Sequence, residues 1–230
     1  MDESQREAAK RTAGERAAEE VSDGDVVGLG TGSTAAHAIG ALGERAVSGL
    51  DVVGVPTSYQ SADLAREAGI PVRTLDDVGV DIAIDGADQI AGTNAIKGGG
   101  GSHAREKVVD ASADRLLYVI DPTKKAEVLD RPVPVEVLPM ARSPVAEAIT
   151  DLGGEPELRS ATGKSGPVVT DNGNLLLDCE FGSIREPEGL ADSLASIPGV
   201  VEHGLFCGLA DAVVVGGEPE SGEATLRSLS

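Results

Sequence analysis

The chain has 230 residues, 39 of them acidic and 19 Lys or Arg, for a formal net charge of −20. The 40% apolar fraction supports a packed core and excludes wholesale disorder, and no apolar run approaches the roughly 18 residues a membrane span needs. One net negative charge per roughly 500 Å² of expected surface repels phosphate backbones, which excludes a nucleic-acid binder.

In the first half of the chain, helices and strands alternate. Glu3 to Glu20 reads as an Ala-rich helix, Asp25 to Gly30 as a short apolar strand and Ser33 to Val47 as a helix. Leu50 to Val55 is a strand, Tyr59 to Ala68 a helix ended by Gly69, and Val80 to Ile84 a strand. A helix over His103 to Ser112 and a strand over Arg115 to Ile120 complete the series. Such alternation implies a parallel sheet covered on both faces.

The pattern then changes. Pro132 to Leu138 alternates apolar and polar, and Pro144 to Leu152 is a short helix. Strands are expected over Glu157 to Ala161, Val168 to Thr170 and Leu175 to Cys179, the last two joined by Asp171-Asn172-Gly173-Asn174, a hairpin signal. Pro187 to Ile197 is a helix, and Asp211 to Val215 a strand that returns to the first sheet. The expected fold is α/β: a mostly parallel, Rossmann-like sheet covered by helices, with a smaller α+β domain of antiparallel strands. The expected domains are 1–129 plus 204–230, discontinuous, and 130–203.

The amino terminus is charged and has no apolar h-region, so no signal peptide is expected. Cys179 and Cys207 make neither a disulfide framework nor a zinc pattern, which fits a reducing, cytoplasmic location. His37, His103 and His203 lack companions at metal-ligand spacing and read as structural or surface residues, so no metal is expected. The only lysines are Lys10, Lys97, Lys107, Lys124, Lys125 and Lys164. Few lysines, few aromatics and many acids suit a high-salt cell, where screening removes self-repulsion; an ordinary acidic enzyme is the alternative.

In open α/β sheets ligands sit at the carboxyl ends of the strands. Gly30-Thr31-Gly32-Ser33-Thr34 lies there, and its amides and hydroxyls could hold an anion; the alternative is a tight turn with Ser33 as N-cap. A dinucleotide reading of the same glycines lacks an acid at the end of the second strand, which is Val55-Pro56-Thr57-Ser58. Gly163-Lys164-Ser165 is no P-loop, because the glycine that should open that motif upstream is missing.

Asp85-Gly86-Ala87-Asp88 sets two carboxylates at a strand end, able to bind sugar hydroxyls or move protons; an Asx-turn is the plain alternative. Lys97-Gly98-Gly99-Gly100-Gly101 is an entropically costly loop that makes sense if a flexible backbone closes on a ligand. Glu106 follows in the first turn of a helix, where it either faces the same pocket or only complements the helix dipole. Asp121-Pro122-Thr123-Lys124-Lys125 adds cations after a further strand.

Taken together these motifs resemble the ribose-5-phosphate isomerase A family. The resemblance is carried by TGST after Gly30, TSYQS after Pro56, DGAD, KGGG, AREK, VPVEVLPMA at Val133 to Ala141, VTDNGN at Val169 to Asn174 and IPGVVEHGLF at Ile197 to Phe206. It runs in order through nearly the whole chain. It implies interconversion of D-ribose 5-phosphate and D-ribulose 5-phosphate, with no metal or organic cofactor. By the same resemblance Glu106 is the base. Thr31, Gly32, Ser33, Thr34, Asp85, Gly86, Ala87, Asp88, Lys97, Gly98, Gly99, Gly100 and Lys124 bind substrate, and Lys10 reaches its phosphate. Gln89 departs from the Glu often found after DGAD, and Gly101-Ser102-His103-Ala104 replaces a more apolar stretch.

The chemistry suits these residues. One carboxylate on one face of a cis-enediolate can take the proton from C2 and return it to C1. Lys97 and the glycine amides could meet the developing oxyanion. An amino-sugar-phosphate deaminase-like isomerase is a rival, weakened by the lack of a histidine placed for ring opening. A non-catalytic sugar-phosphate sensor is another, but the chain has no output module. Relatives commonly assemble through the smaller domain, so a homodimer or homotetramer is expected.

Overall fold

The computed structural model describes residues 1–217 and 222–229. Its elements begin with α1 (Glu3–Ala18), β1 (Val26–Leu29), α2 (Ser33–Val47), β2 (Val53–Pro56), α3 (Tyr59–Glu67) and β3 (Val80–Gly86). Then come β4 (Gln89–Ala91), β5 (Asn94–Ile96), α4 (His103–Ser112), β6 (Ala113–Ile120), β7 (Val133–Val137), α5 (Arg142–Asp151) and β8 (Glu155–Leu158). The chain continues through β9 (Leu175–Glu180), α6 (Pro187–Ala195), β10 (Val200–His203), β11 (Leu205–Cys207), β12 (Ala212–Val215) and β13 (Thr225–Ser228).

These elements form two compact units. One holds Met1–Ala87, Arg105–Lys125 and the chain from Leu209 onward; the other holds Asp88–Ala104 and Ala126–Gly208. The fold is α/β, as the alternation of strands and helices implies.

In the first unit six strands lie in the order β13-β12-β6-β3-β1-β2. All neighbours are parallel except β13, which pairs antiparallel with β12. The strands are short and almost continuously apolar, as strands buried on both faces must be. Val27, Leu29, Ile82, Ile84, Leu117, Val119 and Val214 point to one face, where Ala13 and Ala17 of α1, Ile39 and Leu42 of α2 and Ala65 of α3 cover them. Alternate positions point the other way. There Gly28 leaves no room for a Cβ between Ala83 and Val109 of α4.

The chain leaves β1 for β2 on one side and returns to β3 on the other. The switch point of the sheet therefore lies between β1 and β3, where such folds open a crevice at the carboxyl ends. An Asp2–Gln5 capping box starts α1, and Ser58 with Ser61 makes another at α3. Helix α1 ends at Ala18 rather than at the expected Glu20, because Glu19 takes the C-cap and Glu20 turns out to pair with Arg16 and Arg115.

In the second unit one antiparallel sheet runs β10-β7-β9-β8 and another β11-β5-β4. Val133, Val135, Val137, Leu177 and Cys179 pack with Val145 and Ile149 of α5 and Leu194 of α6. The expected strand at Val168 to Thr170 is only a single bridge, Val169 to Leu175. The Asn-Gly turn does form: Gly173 has φ 82° and its N–H donates to the Thr170 carbonyl at 2.9 Å. The strand expected at Glu157 to Ala161 sits earlier, as β8. Residues 88–104, 126–129 and 204–208 belong with this unit rather than with the expected 1–129 plus 204–230, because Ile96 and Leu205 pack with Val133, Val135 and Leu177. The expected 204–230 segment includes 218–221 and 230, which lie outside the described residues.

Candidate active site

The first unit gathers most of the expected site at the carboxyl edge of its sheet. Asp85, fully buried at the end of β3, turns one carboxylate oxygen to the N–H of Thr31 (3.1 Å) and of Gly86 (2.6 Å). Gly30 passes directly over it, and a side chain at 30 would collide with both the carboxylate and the Cα of Asp85. The N–H of Gly30 donates to Ile84, extending the β1–β3 ladder to this point.

Gly32, at φ 109°, is the N-cap of α2 and gives it no side-chain cap. Ser33 is therefore the first helical residue and not the cap. A helix start capped by no side chain offers its amides to an anion, and Ser33 is exposed there while Thr34 is buried. Thr31 shares its hydroxyl with Thr57 and Ser58, at 2.8 Å each. These two buried residues at the end of β2 were quoted in the TSYQS motif but assigned no role; a polar pair closing an apolar strand was the signal for them.

Glu106 is 4% exposed in the first turn of α4. Helix α4 leads into the amino end of β6, so it runs from the carboxyl edge of the sheet toward the amino edge. Val109 packs on Gly28, and Glu106, about one turn earlier, lies toward the Gly30 turn. Beside it Arg105 stacks on the ring of Tyr59, 5.0 Å from its centroid.

Lys124 ends a 3₁₀ turn after β6, capped by Asp121, whose carboxylate accepts the Thr123 N–H at 2.9 Å. Lys124 is half-buried and Lys125 exposed. Ala9 of α1 packs so closely on Gly216 and Gly217, just after β12, that larger residues would not fit. That contact brings the Lys10 turn of α1 to the same carboxyl edge. Lys10 pairs with Glu7 (3.3 Å), and Glu7 also bonds His37 (2.8 Å). The His37 ring first and Lys10 second hold the Glu7 carboxyl below its usual range.

The second unit holds the remaining expected residues. Lys97 is almost fully buried; its ammonium lies 5.2 Å from the Phe206 ring centroid and its N–H donates to Gly204. Asp88 donates its N–H to Ile96 and accepts the Gly99 N–H at 2.7 Å. Gly98 has φ 99° and lies against His103; Gly99 and Gly100 are exposed.

This glycine loop is not loose. Arg159 donates to the carbonyls of Gly98 (3.1 Å) and Gly99 (3.0 Å) and grips Asp178 with its other nitrogens. Nothing in the local sequence pointed to Arg159. Gln89 also has a reason: its oxygen accepts from the N–H groups of Asp130 and Arg131 while its nitrogen donates to the Asp130 carboxylate. A Glu there would set two carboxylates together. His103 is fully buried and its ring bonds the Glu202 carbonyl. Among the described residues no three His, Cys, Asp or Glu side chains are grouped to hold a metal, and no helix is long and apolar enough to cross a membrane.

A family model described as ribose 5-phosphate isomerase A (phosphoriboisomerase A) matches residues 53–220. A protein named ribose-5-phosphate isomerase A from Haloarcula marismortui is 65% identical over 224 residues, 97% of each chain. The solved structure of ribose 5-phosphate isomerase A from Methanocaldococcus jannaschii superposes with a TM-score of 0.90 at 42% identity, over 95% of this chain and 97% of that one. A D-ribose-5-phosphate isomerase in complex with phospho-erythronic acid gives 0.91 at 40% identity, with the same coverage. The match to this family model over most of the chain, and 40–65% identity to these proteins over 95–97% of it, make this chain a member of the ribose-5-phosphate isomerase A family.

Proposed function

We propose that this chain interconverts D-ribose 5-phosphate and D-ribulose 5-phosphate, a step of the non-oxidative pentose phosphate pathway, through a cis-enediolate with Glu106 as the single base. Membership in the family carries the reaction. The assignment of Glu106 rests on its buried place in the first turn of α4, toward the Gly30 turn. Glu106 takes the C2 proton and returns it to C1 on the same face of the sugar.

Thr31, Gly32, Ser33 and Thr34 hold the substrate at the α2 amides, and Lys10 and Lys124 hold its phosphate. A phosphate at Lys10 competes with Glu7 for that ammonium. Asp85, Gly86, Ala87 and Asp88 bind hydroxyls and assist ring opening. Lys97 and the amides of Gly98, Gly99 and Gly100 meet the enediolate oxygen. The relative bound to phospho-erythronic acid, a phosphorylated sugar acid, supports a ligand of this class. The reading includes a cytoplasmic location and no cofactor. It also includes a homodimer or homotetramer formed through the smaller domain, supported by the exposed Leu138, Met140 and Val201.

Replacing Glu106 with Gln keeps shape and removes the base. The expected outcome is a fall in kcat of about 10²–10⁴-fold with substrate binding retained. An assay of ribulose 5-phosphate formation beside a substrate-binding titration measures both, and near-normal turnover removes Glu106 from the mechanism.

A further inference from the structure

Gly98 to Gly101 have no side chains to fix them, yet their backbone is gripped from outside. Arg159 follows β8, and its own backbone is pinned on both sides: its N–H donates to Leu176 (3.0 Å) and its carbonyl accepts from Val168 (2.9 Å). Its side chain is 17% exposed. Nε donates to Asp178 at 2.8 Å, Nη2 pairs with the other carboxylate oxygen, and Nη1 donates to the carbonyls of both Gly98 and Gly99. Only a planar fork reaches a carboxylate and two carbonyls at once; an ammonium is a single point.

These carbonyls fix the amides that follow them. The peptide bonds are trans, so each N–H points opposite to the carbonyl it shares a plane with. Turning the Gly98 carbonyl to Arg159 sends the Gly99 N–H the other way, onto the Asp88 carboxylate at 2.7 Å. Turning the Gly99 carbonyl to Arg159 likewise aims the Gly100 N–H away from the guanidinium.

We propose that Arg159 is a positioning residue of the isomerase, one that aims the Gly100 amide and the Asp88 carboxylate through the glycine carbonyls without touching substrate. The inference rests on the reading that Asp88 and Gly98 to Gly100 bind substrate. Arg159→Lys keeps the charge and removes the fork; Arg159→Ala removes both. Lys97→Met, close in shape to lysine, tests the loop's part in the reaction independently.

A misplacement of about 1 Å costs roughly 10²-fold. Both Arg159 variants are therefore expected to lose about 10- to 100-fold in kcat with KM moved less than about threefold. Slower proton transfer should also raise the isotope effect on kcat measured with ribose 5-phosphate deuterated at C2. Thermal melts give the folded fraction, and if Arg159→Ala does not fold, Arg159→Lys alone decides. The proposal is overturned if Arg159→Lys keeps kcat within twofold while Lys97→Met loses activity. It is equally overturned if only KM rises, or if activity falls only in step with the folded fraction and the isotope effect stays put. Normal turnover in both Lys97→Met and Arg159→Lys sinks the loop's substrate role, and this inference with it.

Discussion

Gly30 and Gly99 each sit where a side chain would strike an aspartate, but the two aspartates are held differently. Asp85 lies inside a parallel sheet, and a Cβ at Gly30 would meet its Cα as well as its carboxylate. The atoms of Asp88 nearest a Cβ at Gly99 are those of its carboxylate, at 2.7–3.1 Å, and a carboxylate can turn aside. The first turn is fixed by strand pairing on both sides of it. The second is fixed by side chains, Asp88 and Arg159, reaching across from other segments. One glycine turn is thus part of the core, and the other is held by a clamp.

The sharpest way to break this comparison is to add one methyl group to each turn. Gly30→Ala forces backbone against backbone, so its cost should reach the upper end for overpacking, about 3 kcal/mol or more. Urea unfolding measures it, and a near-normal midpoint would refute the crossing as drawn.

Lys124→Ala comes next. A charge-assisted contact to phosphate is worth about 1.5–3 kcal/mol, so kcat/KM should fall roughly 10- to 150-fold, mostly through KM. Exposed Lys125→Ala is the control. Equal small effects, or a larger one at Lys125, would move the phosphate site elsewhere.

Gly99→Ala should cost less stability, about 0.5–1.5 kcal/mol for turning the Asp88 side chain off its rotamer, while activity falls out of proportion. Loss of stability equal to that of Gly30→Ala would erase the distinction between the two turns.

The smallest effect belongs to a third kind of anchor, an ion pair on the first unit. Glu20 takes Arg16 at 2.7 Å and Arg115 at 2.8 Å, and the Arg115 bond, opposed by burial and helped by Arg16, holds its carboxyl below the ordinary 4.5. A lowered folded value means the stabilisation is complete above about pH 4.5 and is lost as pH falls through that lower value. Glu20→Gln should therefore melt slightly lower at pH 7, by about 1 kcal/mol or less, with the gap closing as pH falls below 4.5. A gap that widens in acid would reverse the assignment.

What the sequence disclosed follows the same line. The Gly30 turn, Asp85 and the order of strands and helices in the first sheet are local patterns, and they were legible. Strands β4 and β5 are three residues each around Gly92-Thr93, too short for periodicity, and β5 exists because β11 pairs with it from over a hundred residues away. Strand β13, four residues of mixed polarity, is likewise too short for periodicity. Arg159 carries no local signal, since its partners at 98, 99 and 178 are fixed by tertiary structure alone. Resemblance supplied Lys10, whose approach to the carboxyl edge depends on how Ala9 packs on Gly216.

The edges of the six-stranded sheet bear on how this molecule would behave at high salt. At molar salt the screening length shrinks to about 3 Å, so a charge of −20 no longer keeps neighbours apart at a distance. Bare strand edges then become sites where one sheet can extend another. Strand β2 is shielded on its outer side, where Gly54 donates to Pro71 and accepts from Arg73. On the opposite side β13, only four residues long and turned antiparallel, lies over the fully buried β12 and presents Arg227 near its end. At high salt, resistance to edge pairing thus draws on hydrogen bonds already satisfied within the fold, as well as on surface charge.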